Sequence, residues 1–484
     1  MATLGLLVAR LAARGLPAHL GGRSSSEDNV VGITHDSRQV RAGWLFACLR
    51  GHNFDGHRFA EDAVAAGATA LLVDHELSAS GTVGTPQLVV EDTRLALGHV
   101  AAAVLGDPSD DLLTVGVTGT NGKTTTSQMI ARILEADGRP TGLVGTLSGA
   151  RTTPEAPELQ RTLAEFVDAG DRAAVLEVSS HALALHRVDG TRFDAAVFTN
   201  LGRDHLDLHG TEEAYFRAKA MLFEPRFTDR AVINVEDRHG RLLADTLSDG
   251  TVEVDEFTTE ELDDVEVGTA RHRYRWRGQR VEVPLGGVFN VSNSLAALTT
   301  ATAVGVAPEL AAAALAELPA VPGRFEVVVD GADPAGPGFT VVVDYAHTPD
   351  GLEQLLGSAR ATTIGRTILV FGCGGERDEE KRPEMGAVAS RLADQVIVTS
   401  DNPRREDPDR IIEEILAGVG EEHRVAVTTQ PDRRAAIADA VGRARRGDVV
   451  LIAGKGHERT QDLGASTIEF DDRIVARELV EARS

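Results

Sequence analysis

Seven consecutive residues, Gly119, Thr120, Asn121, Gly122, Lys123, Thr124 and Thr125, put two glycines, a lysine and several hydroxyls into one short loop. Glycines let backbone N–H groups converge on an oxyanion with no Cβ in the way, and a helix N-terminus adds partial positive charge. Lys123 supplies a full cation and Thr124 a hydroxyl suited to Mg²⁺, so nucleotide phosphate binding is the expected chemistry. The pattern departs from strict G-x-x-x-x-G-K-[ST], because position 117 is Val and the first loop glycine is Gly119. The plainer alternative is a glycine-rich turn with an incidental lysine. Glu177 ends an apolar run in LEVSSHALALHR, and His205 lies in NLGRDHLDLHG. A carboxylate suits hard Mg²⁺, whereas imidazole is an unusual ligand for it. By residue type alone, His205 is as good a loop hydrogen-bonder as a ligand.

Strand ends must deliver these groups. LLTVGVTG leads into the loop, and after Lys123 the residues Met129, Ile130, Ile133 and Leu134 fall on one helix face. AAVLEVS (173–179) and DAAVFTN (194–200) read as buried strands, since near-continuous apolar runs suit a parallel sheet covered on both faces. Upstream, WLFACLR, RFAEDAVAAGA and TALLVD alternate strand and helix, and Gly106-Asp107-Pro108-Ser109 makes a break. Leu318 to Gly323 interrupts a helical pattern. Beyond it FTVVVDYA, ILVFGCGG, QVIVTSDNP, RVAVTT and DVVLIAGKG again alternate with helix-compatible segments. The polar stretch 239–285 is weakly patterned and reads as an antiparallel appendage. The expectation is an α/β protein of three domains, 1–109, 110–322 and 323–484. A central P-loop-type parallel sheet would be flanked by an N-terminal α/β domain and a C-terminal Rossmann-like domain.

A chain of 484 residues exceeds one ordinary domain, and with aromatics at 4% its cores must be built from Ala, Val, Leu and Ile. The net charge of −25 argues against a generic nucleic-acid or anionic-membrane surface. It leaves room for anionic small ligands held locally by helix N-termini, a few arginines and metal. Two cysteines, Cys48 and Cys373, make neither a disulfide framework nor a Cys-based zinc site. Arg10 and Arg14 interrupt the apolar N-terminal stretch, which reads as an amphipathic helix rather than a signal peptide. No apolar run approaches the roughly 18 to 20 residues of a membrane span. A soluble, cytoplasmic protein is expected, with no nucleic-acid, membrane or obligate protein partner.

A dozen stretches in one order, over essentially the whole chain, resemble the Mur ligase family. They are HDSRQV, RGHNFDG, GVTGTNGKTTT, LEVSSH, FTNLGRDHLDLHG, YFRAKAMLF, GVFNVSNSLAA, PGRFE, VVVDYAHTPDGL, FGCGGERDEEKRP, SDNPR and AGKGHE. The resemblance implies acyl-phosphate chemistry. ATP phosphorylates a substrate carboxylate, an amine attacks through a tetrahedral intermediate, and phosphate leaves. It implies ATP as co-substrate and Mg²⁺ as cofactor, with Gly119 to Thr125 on ATP and Lys123 at the γ-phosphate. Thr124 and Glu177 would hold one Mg²⁺, and His205 would help hold a second with Lys219. Lys219 is similar to a lysine that CO₂ caps into a carbamate; without the resemblance it would read as a snorkelling helix lysine. Asn290 and Asn293 resemble adenine-side contacts, and Arg324 an ATP-phosphate contact from the domain junction. Asp344 would orient Mg²⁺ or ribose, and His347 would face ATP or cap the next helix. Ser37, His52 and Asn53 resemble uracil-side contacts. Thr152, Thr153, Ser179 and Arg187 resemble those to the pyrophosphate, sugar and peptide of a UDP-N-acetylmuramoyl dipeptide. Leu185 stands where related sequences often carry Gln, which removes one amide from that site.

The added amino acid is read from its charges. Meso-diaminopimelate carries a second amino-carboxylate where L-lysine ends in a bare ammonium, and Arg grips a carboxylate with a planar fork. Asp401, Asn402, Pro403 and Arg404 are similar to the diaminopimelate signature, with Arg377, Gly454 and Glu458 completing the pocket. Arg405 is a bystander or a second carboxylate contact. The resemblance thus implies ligation of meso-diaminopimelate to the D-glutamate of UDP-N-acetylmuramoyl-L-alanyl-D-glutamate. L-lysine and LL-diaminopimelate are the alternative amino acids. A folylpolyglutamate synthetase would have no reason for HDSR and DNPR, and a noncatalytic binding protein no need for Lys123, Glu177, His205 and Lys219 together.

Overall fold

The computed structural model describes residues 2–483 apart from 52–53, 79–80, 83, 205, 249 and 335, and leaves aside the side chains of Leu206, Asp207 and Val425. Three mainly parallel sheets follow one another along the chain. The first comprises β2 (Ala18–Gly21), β4 (Gly32–Thr34), β5 (Trp44–Ala47), β6 (Ala70–Val73) and β7 (Gln87–Val90), in the order β2-β7-β6-β5-β4. A short antiparallel pair, β1 (Ala2–Thr3) and β3 (Asn29–Val30), lies outside it. Successive strand residues point to opposite faces. Accordingly Leu45, Ala47, Leu72 and Leu88 pack with α1 (Leu4–Ala13) and α3 (Thr93–Leu105). Phe46, Leu71, Val73 and Val89 pack with α2 (Ala60–Ala65). In α1 the buried residues are Leu4, Leu7 and Leu11, while Arg10 is exposed, as an amphipathic N-terminal helix requires.

The central sheet is parallel throughout. It comprises β8 (Leu113–Thr118), β9 (Thr141–Val144), β10 (Ala173–Glu177), β11 (Ala195–Phe198), β12 (Arg230–Asn234) and β13 (Glu253–Phe257), in the order β13-β12-β11-β8-β10-β9. Residues of α4 (Lys123–Ala136), α10 (Phe289–Ala303) and α11 (Pro308–Leu315) cover one face. Those of α5 (Ala156–Ala169), α6 (Ser180–Ala184), α8 (Glu212–Ala220) and α9 (Arg238–Leu247) cover the other. The short α7 (Leu206–His209) precedes α8. Residues 239–285 are not one appendage: α9 and β13 extend the parallel sheet. Only β14 (Asp263–Val267), β15 (His272–Trp276) and β16 (Gln279–Val283) form an antiparallel unit. In β15 alternate residues are buried, and Arg273 and Arg275 between them make the segment look polar.

The third sheet has β17 (Glu326–Val329), β18 (Thr340–Asp344), β19 (Thr367–Phe371), β20 (Gln395–Val398), β21 (Val427–Thr429) and β22 (Val449–Ala453). Its order is β17-β18-β22-β19-β20-β21, and only β17 runs antiparallel to its neighbour. The helices α12 (Pro349–Thr362), α13 (Lys381–Leu392) and α14 (Pro408–Leu416) cover one face. On the other lie α15 (Arg433–Arg443) and α16 (Asp472–Arg483), and β23 (Thr460–Asp462) pairs with β24 (Thr467–Glu469) as a hairpin. One apolar cluster runs from Val115 and Val117 of the central sheet through Phe325 to Leu352 and Leu356 of α12, joining the second and third units. Among the described residues no helix is long and apolar enough to cross a membrane.

Candidate active site

The loop after β8 leaves the C-terminal end of a strand flanked by β10 and β11, the end at which open α/β sheets hold ligands. Gly122 precedes α4 with φ 86°, and a Cβ there would strike Asn293 Oδ1; a Cβ on Gly119 would strike Thr199 Oγ1. Only glycine fits both positions. Lys123 Nζ donates to Gly119 O and Thr120 O, each at 2.8 Å. Burial pushes its ammonium below the usual lysine range, opposed by the charges of Glu177 and Asp204. Thr199 Oγ1 and Asn200 Nδ2 donate to Asn121 O at 2.6 and 3.2 Å, and Asn200 Oδ1 accepts from Asn121 N at 2.9 Å.

Glu177, at the end of β10, is buried. Its Oε2 accepts from Thr124 Oγ1 at 2.9 Å and from Thr146 Oγ1 at 3.0 Å, and its Oε1 from Thr146 N at 2.9 Å. Among the described residues its hydrogen-bond partners are Thr124 and Thr146, neither of them charged. A buried acid that is met only by hydroxyls and one N–H is a hard-oxygen set that fits a divalent cation. Lys219 is 1% exposed. Its Nζ donates to Gly119 O at 2.7 Å and lies 4.4 Å from the centre of the Tyr215 ring. Burial, then the charge of Lys123, holds its amine well below the usual lysine range. Tyr215 OH in turn lies 3.1 Å from Thr120 Oγ1. His205 lies outside the described residues.

From the third unit, Arg324 Nη2 donates to Thr124 Oγ1 at 3.2 Å, and its guanidinium sits 4.4 Å from the Tyr345 ring centre. Asp344 is committed to backbone, accepting from Phe325 N and Ala346 N at 2.7 Å each. It thereby fixes the turn that carries Arg324, where Phe325 takes φ 44°. His347 does not cap α12; Thr348 does, its side chain accepting from Gly351 N. Burial, then Lys381, pushes the His347 imidazole below its usual value. A cavity of 720 Å³ gathers Thr120 to Thr125, Thr152, Glu177, Ser179, Asn293, Arg324, Asp344 and His347. Asn290 is not among its lining residues. It donates to Gly286 O at 2.6 Å and accepts from Asn293 Nδ2 at 2.8 Å, so it holds Asn293 in place.

The segments after β19, β20 and β22 meet in a second cluster. Asn402 Nδ2 donates to Glu458 Oε2 at 2.8 Å. Lys455, wholly buried, donates to Glu458 Oε2 at 2.7 Å, Asn402 Oδ1 at 3.1 Å and Thr460 O at 2.7 Å. Burial opposes the charge of Glu458, but Lys455 and Asn402 override it and hold the carboxyl below its usual value. Arg404, with φ 52°, donates through Nη1 to Gly375 O. A Cβ on Gly374 would lie 3.1 Å from Arg404 Nη1 and 3.8 Å from Arg377 Cγ, so both arginines border one glycine. A Cβ on Gly454 would come within 2.5 Å of Asp401 Oδ2. Asp401 and Pro403 are buried beside Asn402. Lys455 has no assigned role in the sequence reading, although a lysine between two glycines at a strand end is a visible signal.

On the third side, Thr153 Oγ1 donates to Glu177 O at 2.8 Å and accepts from Ser179 N at 3.1 Å. Arg187 donates to Thr153 O at 3.2 Å and pairs with Glu155 at 2.9 Å. Ser37 begins a short 3₁₀ turn whose N-cap is Asp36. His52 and Asn53 lie outside the described residues. The central loop is also clasped from the third unit. Arg203 N donates to Asp350 Oδ2 at 2.6 Å, and its guanidinium pairs with Glu384 and, at 3.7 Å, with Glu380.

Residues 29–104 match the Mur ligase family catalytic domain, 117–301 the Mur ligase middle domain, and 323–456 the Mur ligase glutamate ligase domain. A UDP-N-acetylmuramoyl-L-alanyl-D-glutamate–2,6-diaminopimelate ligase of Streptomyces avermitilis is 43% identical, with 96% of each chain covered. That of Geobacillus kaustophilus is 45% identical over 97% of this chain and 98% of its own. The chain belongs to the Mur ligase family. A solved ligase of the same name matches at 34% identity and a TM-score of 0.66, covering 94% of this chain and 95% of that one. A MurF ligase of Thermotoga maritima in complex with ADP, 21% identical with a TM-score of 0.63, shares the fold over 94% of this chain and 98% of its own. The three-unit architecture is thus that of the Mur ligases, with the phosphate loop in the middle unit.

Proposed function

We propose that this Mur ligase joins meso-diaminopimelate to the D-glutamate of UDP-N-acetylmuramoyl-L-alanyl-D-glutamate, forming ADP and phosphate, as a step in peptidoglycan precursor synthesis. The observation that carries this reading is a continuous line of contact from the phosphate loop to the arginine-bordered cluster. Thr124 meets Arg324, Arg324 lies over Tyr345, and Tyr345 lies 5.2 Å from the ring of His457, next to Glu458. A triphosphate and an amino acid held at the two ends of that line share one cleft. We assign residues 1–109 to the UDP-sugar, 110–322 to ATP and 323–484 to the amino acid, in keeping with the three sheets.

In this reading Lys123 and Arg324 hold the transferring phosphate, with Asn293 on the adenine side. Thr124, Glu177, His205 and Lys219 as a carbamate would hold Mg²⁺, which supplies charge neutralisation at the phosphate oxygens. Carbamylation joins Nζ of Lys219 to the carbon of CO₂ and releases a proton. It requires the neutral amine that burial favours. Ser37, His52, Asn53, Thr152, Thr153, Ser179 and Arg187 would orient the UDP-sugar peptide so that its carboxylate faces the phosphate. Arg404 and Arg377 would take the distal carboxylate of the incoming amino acid, Glu458 its distal ammonium, and the Asp401–Pro403 and Gly454 backbone its outline. Docking of the third unit would keep water from the acyl phosphate.

The test is phosphate release with ATP, Mg²⁺ and the UDP-dipeptide, offering meso-diaminopimelate, LL-diaminopimelate or L-lysine separately. Strong turnover is expected only with the first. Equal or faster turnover with lysine removes the distal-carboxylate reading.

A further inference from the structure

Arg433 and Asp472 form an ion pair in which both side chains are 0% exposed, and neither has a place in the chemistry above. Each is the first residue of its helix, α15 and α16. Arg433 Nε and Nη2 donate to the two oxygens of Asp472, each at 2.8 Å. The outward N–H groups of the same guanidinium reach two strand exits. Nη1 donates to Ser400 O at 3.2 Å and Nη2 to Ala453 O at 3.0 Å. Ser400 immediately precedes Asp401, and Ala453 immediately precedes Gly454. Ser400 lies two residues past β20 and Ala453 ends β22, and these strands are not neighbours, because β19 lies between them. One planar cation therefore bridges the exits on either side of β19. It ties the two segments that carry Asn402 and Arg404 on one side and Lys455 and Glu458 on the other.

A buried ion pair is a poor device for stability, since well-packed apolar residues of similar volume commonly do as well. A planar fork with several donors is instead suited to fixing separations. Little slack exists to lose: the two segments already touch where Gly454 faces Asp401. Arg433 also sets a positive charge against the buried Asp401 carboxyl, which burial pushes above its usual value. We propose that the Arg433–Asp472 pair is a positioning element of the amino-acid pocket, holding the Asp401–Arg404 and Gly454–Glu458 segments at the spacing that lets both ends of diaminopimelate be gripped together. The inference rests on the amino-acid pocket assigned above.

The test is the set of three Michaelis constants, for diaminopimelate, ATP and the UDP-dipeptide, measured on the full-length enzyme. Arg433→Lys keeps the charge but cannot span both carbonyls and both carboxylate oxygens. The double variant Arg433→Met/Asp472→Leu removes both charges of the pair together, so neither partner is left buried alone, and Lys455 remains to face Asp401. In both, KM for diaminopimelate should rise about ten-fold or more, with the other two constants within about two-fold and the preference for diaminopimelate over lysine narrowed. Equal rises in all three constants, or a lowered melting midpoint with unchanged KM for diaminopimelate, would overturn the proposal. Arg404→Ala separates the two levels. If it raises KM for diaminopimelate and the double variant does not, the positioning role alone fails. If it leaves that KM unchanged, the pocket fails and the positioning role with it.

Discussion

At the phosphate loop, Lys219 is buried and Lys123 half-buried, and both direct their donors to the carbonyls of Gly119 and Thr120. At the proposed amino-acid end, Lys455 and Arg433 are fully buried and are met by the carboxylates of Glu458 and Asp472. Both sets reach loops that leave the C-terminal ends of parallel strands, and they differ in how their charge is balanced. The first is met by carbonyl oxygens, and in the proposed reading Lys123 faces the phosphates of ATP while Lys219, as a carbamate, faces Mg²⁺. The second is balanced beforehand and suits a ligand such as diaminopimelate, whose two ammonium and two carboxylate groups cancel. In that reading the charge at one end is completed by the ligands, while at the other it is balanced within the protein.

The comparison breaks most visibly at Lys219. Lys219→Ala should cut turnover by about 10²–10³-fold in a phosphate-release assay, as loss of a preorganised electrostatic contact does. Partial recovery is expected when a short carboxylate is added. A fully active variant would show that the phosphate end needs no added anion there. A smaller effect is expected at the balanced end. Lys455→Met leaves Glu458 and Asn402 without their shared donor, and denaturant unfolding should register a loss of about 1–3 kcal/mol. An unchanged midpoint would mean that the cluster is not prebuilt. The smallest effect is a pH dependence. The Glu458 carboxyl is held below its ordinary value of 4.5, so its contribution is complete above about that pH and is lost as acid protonates it. The stability gap between the protein and Glu458→Gln should therefore be present at pH 7 and close towards pH 3. A gap constant over that range would remove the ion pair as its cause.

Much of this was legible in the sequence where one residue type has one physical reason. The glycines at 119 and 122 sit where a Cβ would collide, and the apolar runs 113–118, 173–177 and 195–198 are strands buried on both faces. Legibility fell where a side chain acts through another. Asn290 shares a motif with Asn293, yet it serves as that residue's support, a division that spacing does not reveal. Asp344 ends a strand near the cleft as expected, but both its oxygens are taken by N–H groups of a turn contributed by residues 325 and 346. Arg433 lies in a helix start 29 residues past Arg404, and only the strand order shows what its fork connects. The stretch 239–285 was hard to read because an edge strand and a half-exposed antiparallel sheet both mix polar residues into their faces.

The clasp at Arg203 has a consequence for how firmly the halves of the cleft meet. Its guanidinium and the Glu384 side chain are 46% and 38% exposed, so dissolved ions compete with their attraction. The bond from Arg203 N to Asp350 is exposed as well, but it needs only one charged partner. Raising the ionic strength should thus weaken the pairing of Arg203 with Glu384 and Glu380 more than the bond to Asp350, making background salt a dial on how firmly the third unit engages the central loop.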